Sequence, residues 1–229
     1  MIDLKAKKRL LISAALILLC GIIFSTISCN FLDLPLAQKI HELPIKEWKA
    51  QHYTGVVSYV CKKPWITFIV IPFFLWVTFI KLNFEWFRKL GFFLLSMTAC
   101  GIFSAILKNI FGRARPYMYF RDGSFGFNFF NATKDAFKSF PSGHSLEAAT
   151  IAACFWFIFP KLRIPLVLFV LLMMTDRMLL ERHFLGDTTF GALLAISYVL
   201  VIRAYHEDIL NERVFTFLSS LPKKVFNKK

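Results

Sequence analysis

Apolar runs of Leu, Ile and Phe recur along this chain, and their length constrains its fold more than any other feature. Six of them cross or nearly cross a hydrocarbon layer about 30 Å thick at about 1.5 Å per helical residue. They run approximately from Leu10 to Leu32, Trp65 to Leu82, Leu90 to Phe111, Ser145 to Pro160, Ile164 to Leu180 and Thr188 to Ile202. With 28 Phe among 229 residues and 57% hydrophobic side chains, the chain carries more apolar surface than one soluble core can bury, so the bilayer is its solvent. Lipid leaves no backbone polar group hydrated, and the runs lack strand-like alternation, so they are expected to be helices rather than barrel strands. No internal repeat or low-complexity linker divides the chain. The expectation is an all-α integral membrane helical bundle of about six transmembrane helices, forming one domain over residues 1–229.

A formal net charge of +14 would suggest nucleic acid in a soluble domain. Here the basic residues fall in short loops between apolar runs, so the expected partners are the bilayer and a phosphorylated membrane lipid, with no nucleic acid. Lys5, Lys7, Lys8 and Arg9 precede the first run and place the N-terminus in the cytoplasm by the positive-inside rule. Six crossings return the C-terminus to that side, in agreement with Lys223, Lys224, Lys228 and Lys229. The first run loosely resembles a secretion or lipoprotein signal ending at Ser28-Cys29. It is long for that purpose and Thr26 suits a lipobox poorly, so it is expected to remain as a span. Cys20, Cys100 and Cys154 lie in apolar runs without metal-ligand spacing, whereas Cys29 and Cys61 fall near the outer face and are the candidate pair for a disulfide. The segment from Asp33 to Lys63 mixes apolar and charged residues, as an interfacial amphipathic helix or a solvated loop would.

Ionisable residues at the ends of membrane spans cost free energy unless they are paired or working. Three clusters stand out: Lys108 with Arg115-Pro116, then Pro141-Ser142-Gly143-His144, then Arg177 with His183 and Asp187. Singly, each has a plain structural reading, because Lys108 can snorkel, Ser142 can cap a helix and either histidine can be interfacial. The topology brings them together. Lys108 and Arg115 follow an outward run, His144 opens an inward one, Arg177 ends an outward one, and His183 and Asp187 precede the last, so all three clusters reach the outer face.

These residue types suit phosphoryl transfer. Lys108, Arg115 and Arg177 offer fixed positive charge, and guanidinium forks match phosphate oxygens. Ser142 and Gly143, at a helix start, offer backbone N–H groups to an anion. If the last span begins at His183, Asp187 four residues on shares its face and orients the imidazole, which then attacks phosphorus. His144 serves as the general acid that protonates the departing oxygen.

At these residues the chain resembles the type 2 phosphatidic acid phosphatase family, which shares its site with vanadium haloperoxidases. The family pattern is Lys-x6-Arg-Pro, Pro-Ser-Gly-His and Ser-Arg-x5-His-x3-Asp. Lys108 to Pro116, Pro141 to His144, and Arg177 to His183 to Asp187 follow it in order and spacing. The resemblance implies a phosphohistidine on His183 oriented by Asp187, His144 as acid, a phosphate pocket of Lys108, Arg115, Ser142, Gly143 and Arg177, and no metal or other cofactor. Asp176 departs from the pattern by standing where the family has Ser, and an acid there either repels substrate or anchors Arg177. The favoured substrate is lipid A on the periplasmic face of a bacterial inner membrane, because Phe111 to Pro116 followed by an aromatic loop resembles the lipid A phosphatase subgroup. Arg113, Arg121, Lys134 and Lys138 are candidates to grip a second phosphate. The alternative is undecaprenyl diphosphate, followed by phosphatidylglycerophosphate or phosphatidic acid. A haloperoxidase or a non-catalytic lipid-binding protein are the remaining rivals.

Overall fold

A computed structural model describes residues 3–43, 84–130 and 134–210, together with Val214 and Thr216. The helices are α1 (Leu4–Ile27), α2 (Asp33–Glu42), α3 (Phe84–Phe111), α4 (Pro116–Asp122), α5 (Gly143–Ile158), α6 (Arg163–Leu179) and α7 (Leu185–Ile209). No strand occurs among the described residues, and the all-α bundle expected from the sequence is observed. Five of the six apolar runs become α1, α3, α5, α6 and α7. The run from Trp65 to Leu82 lies outside the described residues.

Three helical stretches are long and apolar enough to cross a membrane: Leu4–Glu42, Phe84–Phe111 and Leu185–Ile209. The protein is therefore a membrane protein. Helices α5 and α6 have 16 and 17 residues, shorter than the ~20 that span a typical hydrocarbon layer.

α7 is the central helix and packs against α1, α3, α5 and α6, while α5 also packs against α3 and α6. The interior is a Phe-rich core that includes Phe92, Phe93, Leu146, Phe190, Ala195 and Val199. The outward faces of α1 and α6 instead expose Leu16, Ile22, Ile23, Leu168 and Leu171, which a hydrocarbon solvent requires. Polar side chains within the apolar helices are satisfied locally, since Ser96 donates to the Phe92 carbonyl, Thr98 to that of Leu94 and Thr150 to that of Leu146. Ser197 donates across to the Ala14 carbonyl at 2.9 Å and ties α7 to α1.

α1 and α2 form one helical stretch interrupted by a π-helical turn, Ser28–Leu32. Pro35 lies in the first turn of α2, where its missing N–H and its ring disfavour a regular ladder behind it. The chain absorbs the mismatch by widening the preceding turn, in which the Asp33 N–H reaches back to the Ser28 carbonyl. Of the two expectations for this segment, helix and solvated loop, helix is observed over Asp33–Glu42. The rest of the segment to Lys63 lies outside the described residues, as does Cys61, whose suggested partner Cys29 is a free thiol.

The bundle has two chemically distinct ends. At one, Lys7 pairs with Asp208 at 2.8 Å and Arg88 pairs with Glu207 at 2.5 Å. At the other, the C-terminal ends of α1, α3 and α6 meet the N-terminal ends of α5 and α7, and every sequence-selected site residue lies there.

Candidate active site

The segment after α3 is built by backbone pairing. Gly112 adopts a positive φ of 55° and turns the chain out of the helix. The Ala114 N–H then donates to the Gly126 carbonyl and the Asn128 N–H to that of Gly112, so the aromatic loop folds back along residues 112–114. The Ser139 N–H donates to the Arg113 carbonyl and the Arg115 N–H to that of Ala136, which sets the segment leading into Pro141 beside the first motif.

The second motif opens α5. Ser142 is the N-cap, its hydroxyl accepting from the Ser145 N–H at 3.4 Å and the Ser145 hydroxyl at 3.0 Å. Its own N–H donates to the Asp187 carbonyl at 3.0 Å. The Ser142 amide is therefore engaged with α7, contrary to the expected donation to an anion. The Lys108 ammonium lies over Gly143, where an added Cβ would sit 2.9 Å from Nζ. Lys108, Gly143 and His144 are half-buried, whereas Arg115, Ser142 and His183 are buried.

His183 lies before α7, and its Nδ1 is 2.7 Å from the main-chain carbonyl oxygen of Ser139. A carbonyl only accepts, so Nδ1 carries the proton and the neutral ring has its lone pair on Nε2. Burial, followed by the positive charges of Arg115 and Lys108, pushes the His183 pKa well below the ordinary imidazole value, and His144 acts in the same direction. Residues of the first two motifs therefore act electrostatically on the imidazole of the third.

Asp187 does not contact that ring in the expected way. α7 begins at Leu185, so His183 is not on its face, and Asp187 Oδ2 stands 3.9 Å from His183 Nδ1. Oδ2 instead accepts from the Ser139 hydroxyl at 2.6 Å and from the Phe184 N–H at 2.8 Å, and Oδ1 accepts from Arg113 at 2.5 Å. Ser139, a residue that no sequence motif marked, bridges the carboxylate and the His183 ring.

Two arginines depart from expectation. Arg113, a candidate for a second phosphate, is 1% exposed and ion-pairs with both Asp187 and Asp33. Burial alone would lower its pKa, but the two carboxylates override it and hold the value above that of an ordinary guanidinium. Its guanidinium also lies over the rings of Phe184 and Phe127, at 4.5 and 5.0 Å. Arg177 turns both Nε and a terminal nitrogen to Oδ2 of Asp176, and both residues are buried. Asp176 therefore anchors Arg177.

Arg115 faces the site edge, with Nε on the Asp135 carbonyl at 2.8 Å and a terminal nitrogen on the Asp135 carboxylate at 3.0 Å. Arg121 pairs with its exposed neighbour Asp122, Lys134 is exposed, and Lys138 contributes to the electrostatic surroundings of Lys108. Among the described residues, no three His, Cys, Asp or Glu side chains group so as to hold a metal ion.

The class of protein is thus a helical membrane bundle that gathers a buried imidazole, a second histidine and several cations at one end. The family model described as the PAP2 superfamily matches residues 89–210, more than half of the chain, and the chain belongs to that superfamily. It is 31% identical over 105 residues to the lipid A 1-phosphatase of Rhizobium johnstonii, covering 44% of this chain and 43% of the relative. It is 33% identical over 91 residues to the lipid A 1-phosphatase of Rhizobium etli, covering 40% and 39%. The match thus spans about two fifths of each relative's length. No solved structure matches the chain.

Proposed function

We propose that the protein is a membrane lipid phosphatase that removes phosphate through a phosphohistidine on His183. The observation that carries this reading is the Ser139 carbonyl on His183 Nδ1 at 2.7 Å, because it leaves a buried, neutral ring with its lone pair on Nε2 among cations. Nε2 attacks phosphorus, forming the N–P bond as the P–O bond to the lipid breaks. His144 gives its proton to the departing oxygen. Lys108, Arg115 and the start of α5 at Gly143 take the charge of the equatorial oxygens. Water, deprotonated by His144, then attacks the phosphohistidine, releasing inorganic phosphate and regenerating His183. Asp187 keeps Ser139 in place, Ser142 caps α5, and Arg177 joins the pocket by sharing its fork between Asp176 and phosphate.

The proposed substrate is lipid A. Both Rhizobium relatives carry a lipid A 1-phosphatase name, and Lys138 beside Lys108 extends the positive field toward a second phosphate. Undecaprenyl diphosphate, which also carries two phosphates, is the alternative. The proposed location is a bacterial inner membrane with the site end facing the periplasm. Lys7 belongs to the opposite end of the bundle, where the positive-inside rule puts cytoplasm.

Purified protein in EDTA, supplied with lipid A in detergent micelles, should release inorganic phosphate, and His183→Ala should not. Release that requires an added divalent cation, or none from any phosphorylated lipid, refutes the mechanism. Mass spectrometry of membrane lipids with and without the protein identifies the substrate, since lipid A that keeps both phosphates in its presence excludes it.

A further inference from the structure

Asp33 is 1% exposed and lies at the junction of α1 and α2, outside the part of the chain that matches the family. A carboxylate this deeply buried needs partners, and its partners are numerous. Oδ1 accepts from the Ser28 hydroxyl at 2.6 Å and from the Gly186 N–H at 2.8 Å, and Oδ2 accepts from Arg113 at 2.7 Å. The π-helical turn Ser28–Leu32 delivers both the serine and the carboxylate to this point. A Cβ on Gly186 would lie 3.0 Å from Asp33 Oδ2, so the two elements meet with no room for another side chain.

The hydrogen bonds continue without a gap into the reaction centre. One terminal nitrogen of Arg113 holds Asp33 and the other holds Asp187. Asp187 receives the Ser139 hydroxyl, and the Ser139 carbonyl holds His183 Nδ1. Arg113 is held between two carboxylates, each pulling the guanidinium toward its own side. If Asp33 lost its charge, the pull on its side would weaken and the guanidinium would settle toward Asp187. The Asp187 carboxylate would be drawn toward Arg113 and away from Ser139, the residue that fixes the imidazole.

We propose that Asp33 is a positioning residue of the catalytic centre, contributed by the N-terminal helices: through Arg113 it sets the carboxylate of Asp187, and through Asp187 and Ser139 the ring of His183. The inference rests on the reading of His183 as nucleophile. It makes α1 and α2 part of the catalytic unit rather than a membrane anchor beside it. A displaced ring slows attack on a bound phosphate without weakening the cations that bind it. The loss therefore falls on kcat and spares KM.

The test uses the full chain in detergent with lipid A, or whichever phosphorylated lipid the wild type hydrolyses. Asp33→Asn keeps the shape but removes the charge. It is expected to lower kcat about a hundredfold, the order associated with a small misplacement of a reacting group, with KM changed less than about twofold. A folded Asp33→Asn with wild-type kcat, or one whose loss lies in KM alone, overturns the proposal. If Asp33→Asn does not fold, Ser28→Ala removes one hydrogen bond to the carboxylate and no charge. It is expected to lower kcat about threefold at constant KM, the scale of one modest hydrogen bond, and an unchanged kcat overturns the proposal. His183→Ala is the control on the underlying reading. If it turns over normally, that reading fails. If it is inactive while folded Asp33→Asn behaves as wild type, only the role of Asp33 fails.

Discussion

Ser139 holds His183 with its backbone and Asp187 with its side chain: its carbonyl accepts from His183 Nδ1 at 2.7 Å while its hydroxyl donates to Asp187 Oδ2 at 2.6 Å. One residue thereby couples the tautomer of the proposed nucleophile to a carboxylate that is 3.9 Å from the ring. A direct Asp–His pair would favour the imidazolium. A carbonyl favours the protonated Nδ1 and asks for no second proton, so the ring stays neutral among cations.

This arrangement has a pH consequence. The His183 pKa is lowered by burial and by Arg115 and Lys108, so activity should persist as pH falls through the ordinary imidazole range and be lost only at the depressed value, where Nε2 gains a proton. Arg115→Gln removes one of those charges, which raises the His183 pKa. The acid limb of kcat/KM should move to higher pH, whatever happens to the maximal rate. An acid limb that does not move in Arg115→Gln would disconnect His183 from the pH profile. The same sign applies to stability. A histidine whose folded-state pKa lies below the unfolded value contributes stability above about pH 6.5 that is lost as pH falls through the depressed value.

His183→Ala should reduce phosphate release by at least about a thousandfold, because no other described group replaces the nucleophile, and His144→Ala by about a hundred- to ten-thousandfold, the span of general acid catalysis. Thermal melting in detergent should be little changed for His144, which is half-buried. Phosphate-release kinetics with a melting curve on each variant check both expectations. Near wild-type turnover by either would remove that residue from the mechanism.

Arg113→Ala leaves Asp33 and Asp187 as facing buried carboxylates. Breaking a buried ion pair from one side costs about 3–5 kcal/mol, and here two pairs are broken. Unfolding in detergent should show a loss of at least that order. Arg113→Lys should recover only part of it, because a single ammonium cannot reproduce a fork that reaches two carboxylates at 2.5 and 2.7 Å. Equal stability of Arg113→Ala and wild type would mean that the carboxylates find protons or water instead.

The sequence exposed some of this organisation and hid the rest for physical reasons. Hydropathy located α1, α3, α5, α6 and α7 because each is a long run with one solvent preference. It also placed Lys108, Arg115, His144 and His183 at one end, because a span fixes the side on which its termini emerge. Asp33 was invisible: an acid just past an apolar run reads as the start of a loop, and only the wide turn ahead of Pro35 carries it inward. Arg113 read as a grip for a second phosphate because nothing in its neighbourhood names a partner 74 or 80 positions away. The Ser139 contact to His183 runs through a backbone carbonyl, which every residue type possesses, so no residue pattern encodes it.

Asp176→Ser tests how far the anchored arginine limits phosphate binding. Asp176 holds Arg177 through two of its nitrogens, so a phosphate that recruits this guanidinium competes with a buried carboxylate. Serine cannot hold it as firmly. Inorganic phosphate should then inhibit more strongly, by about tenfold, the equivalent of one charge-assisted hydrogen bond, and melting should fall in its absence because Arg177 has lost its counter-ion. Weaker inhibition by phosphate would show that Asp176 orients Arg177 for the anion rather than withholding it.

Two glycines separate packing from function. A Cβ on Gly191 of α7 would lie 2.8 Å from the Ser142 main-chain carbonyl oxygen, and neither backbone can move without separating α7 from the start of α5. Gly191→Ala should therefore lower the melting temperature, with activity falling in step with the folded fraction. A Cβ on Gly143 would come within 2.9 Å of Lys108 Nζ, the tip of a flexible side chain that can swing aside at small cost in stability. Its displacement removes a positive charge from the place where α5 begins. Gly143→Ala should accordingly melt like the wild type, yet lose about tenfold in kcat/KM, again the scale of one charge-assisted hydrogen bond. Melting curves and steady-state kinetics on the pair check this. If Gly143→Ala retains full kcat/KM, the ammonium over the α5 N-terminus does not contribute to phosphate transfer, and the cationic work rests on Arg115 and Arg177.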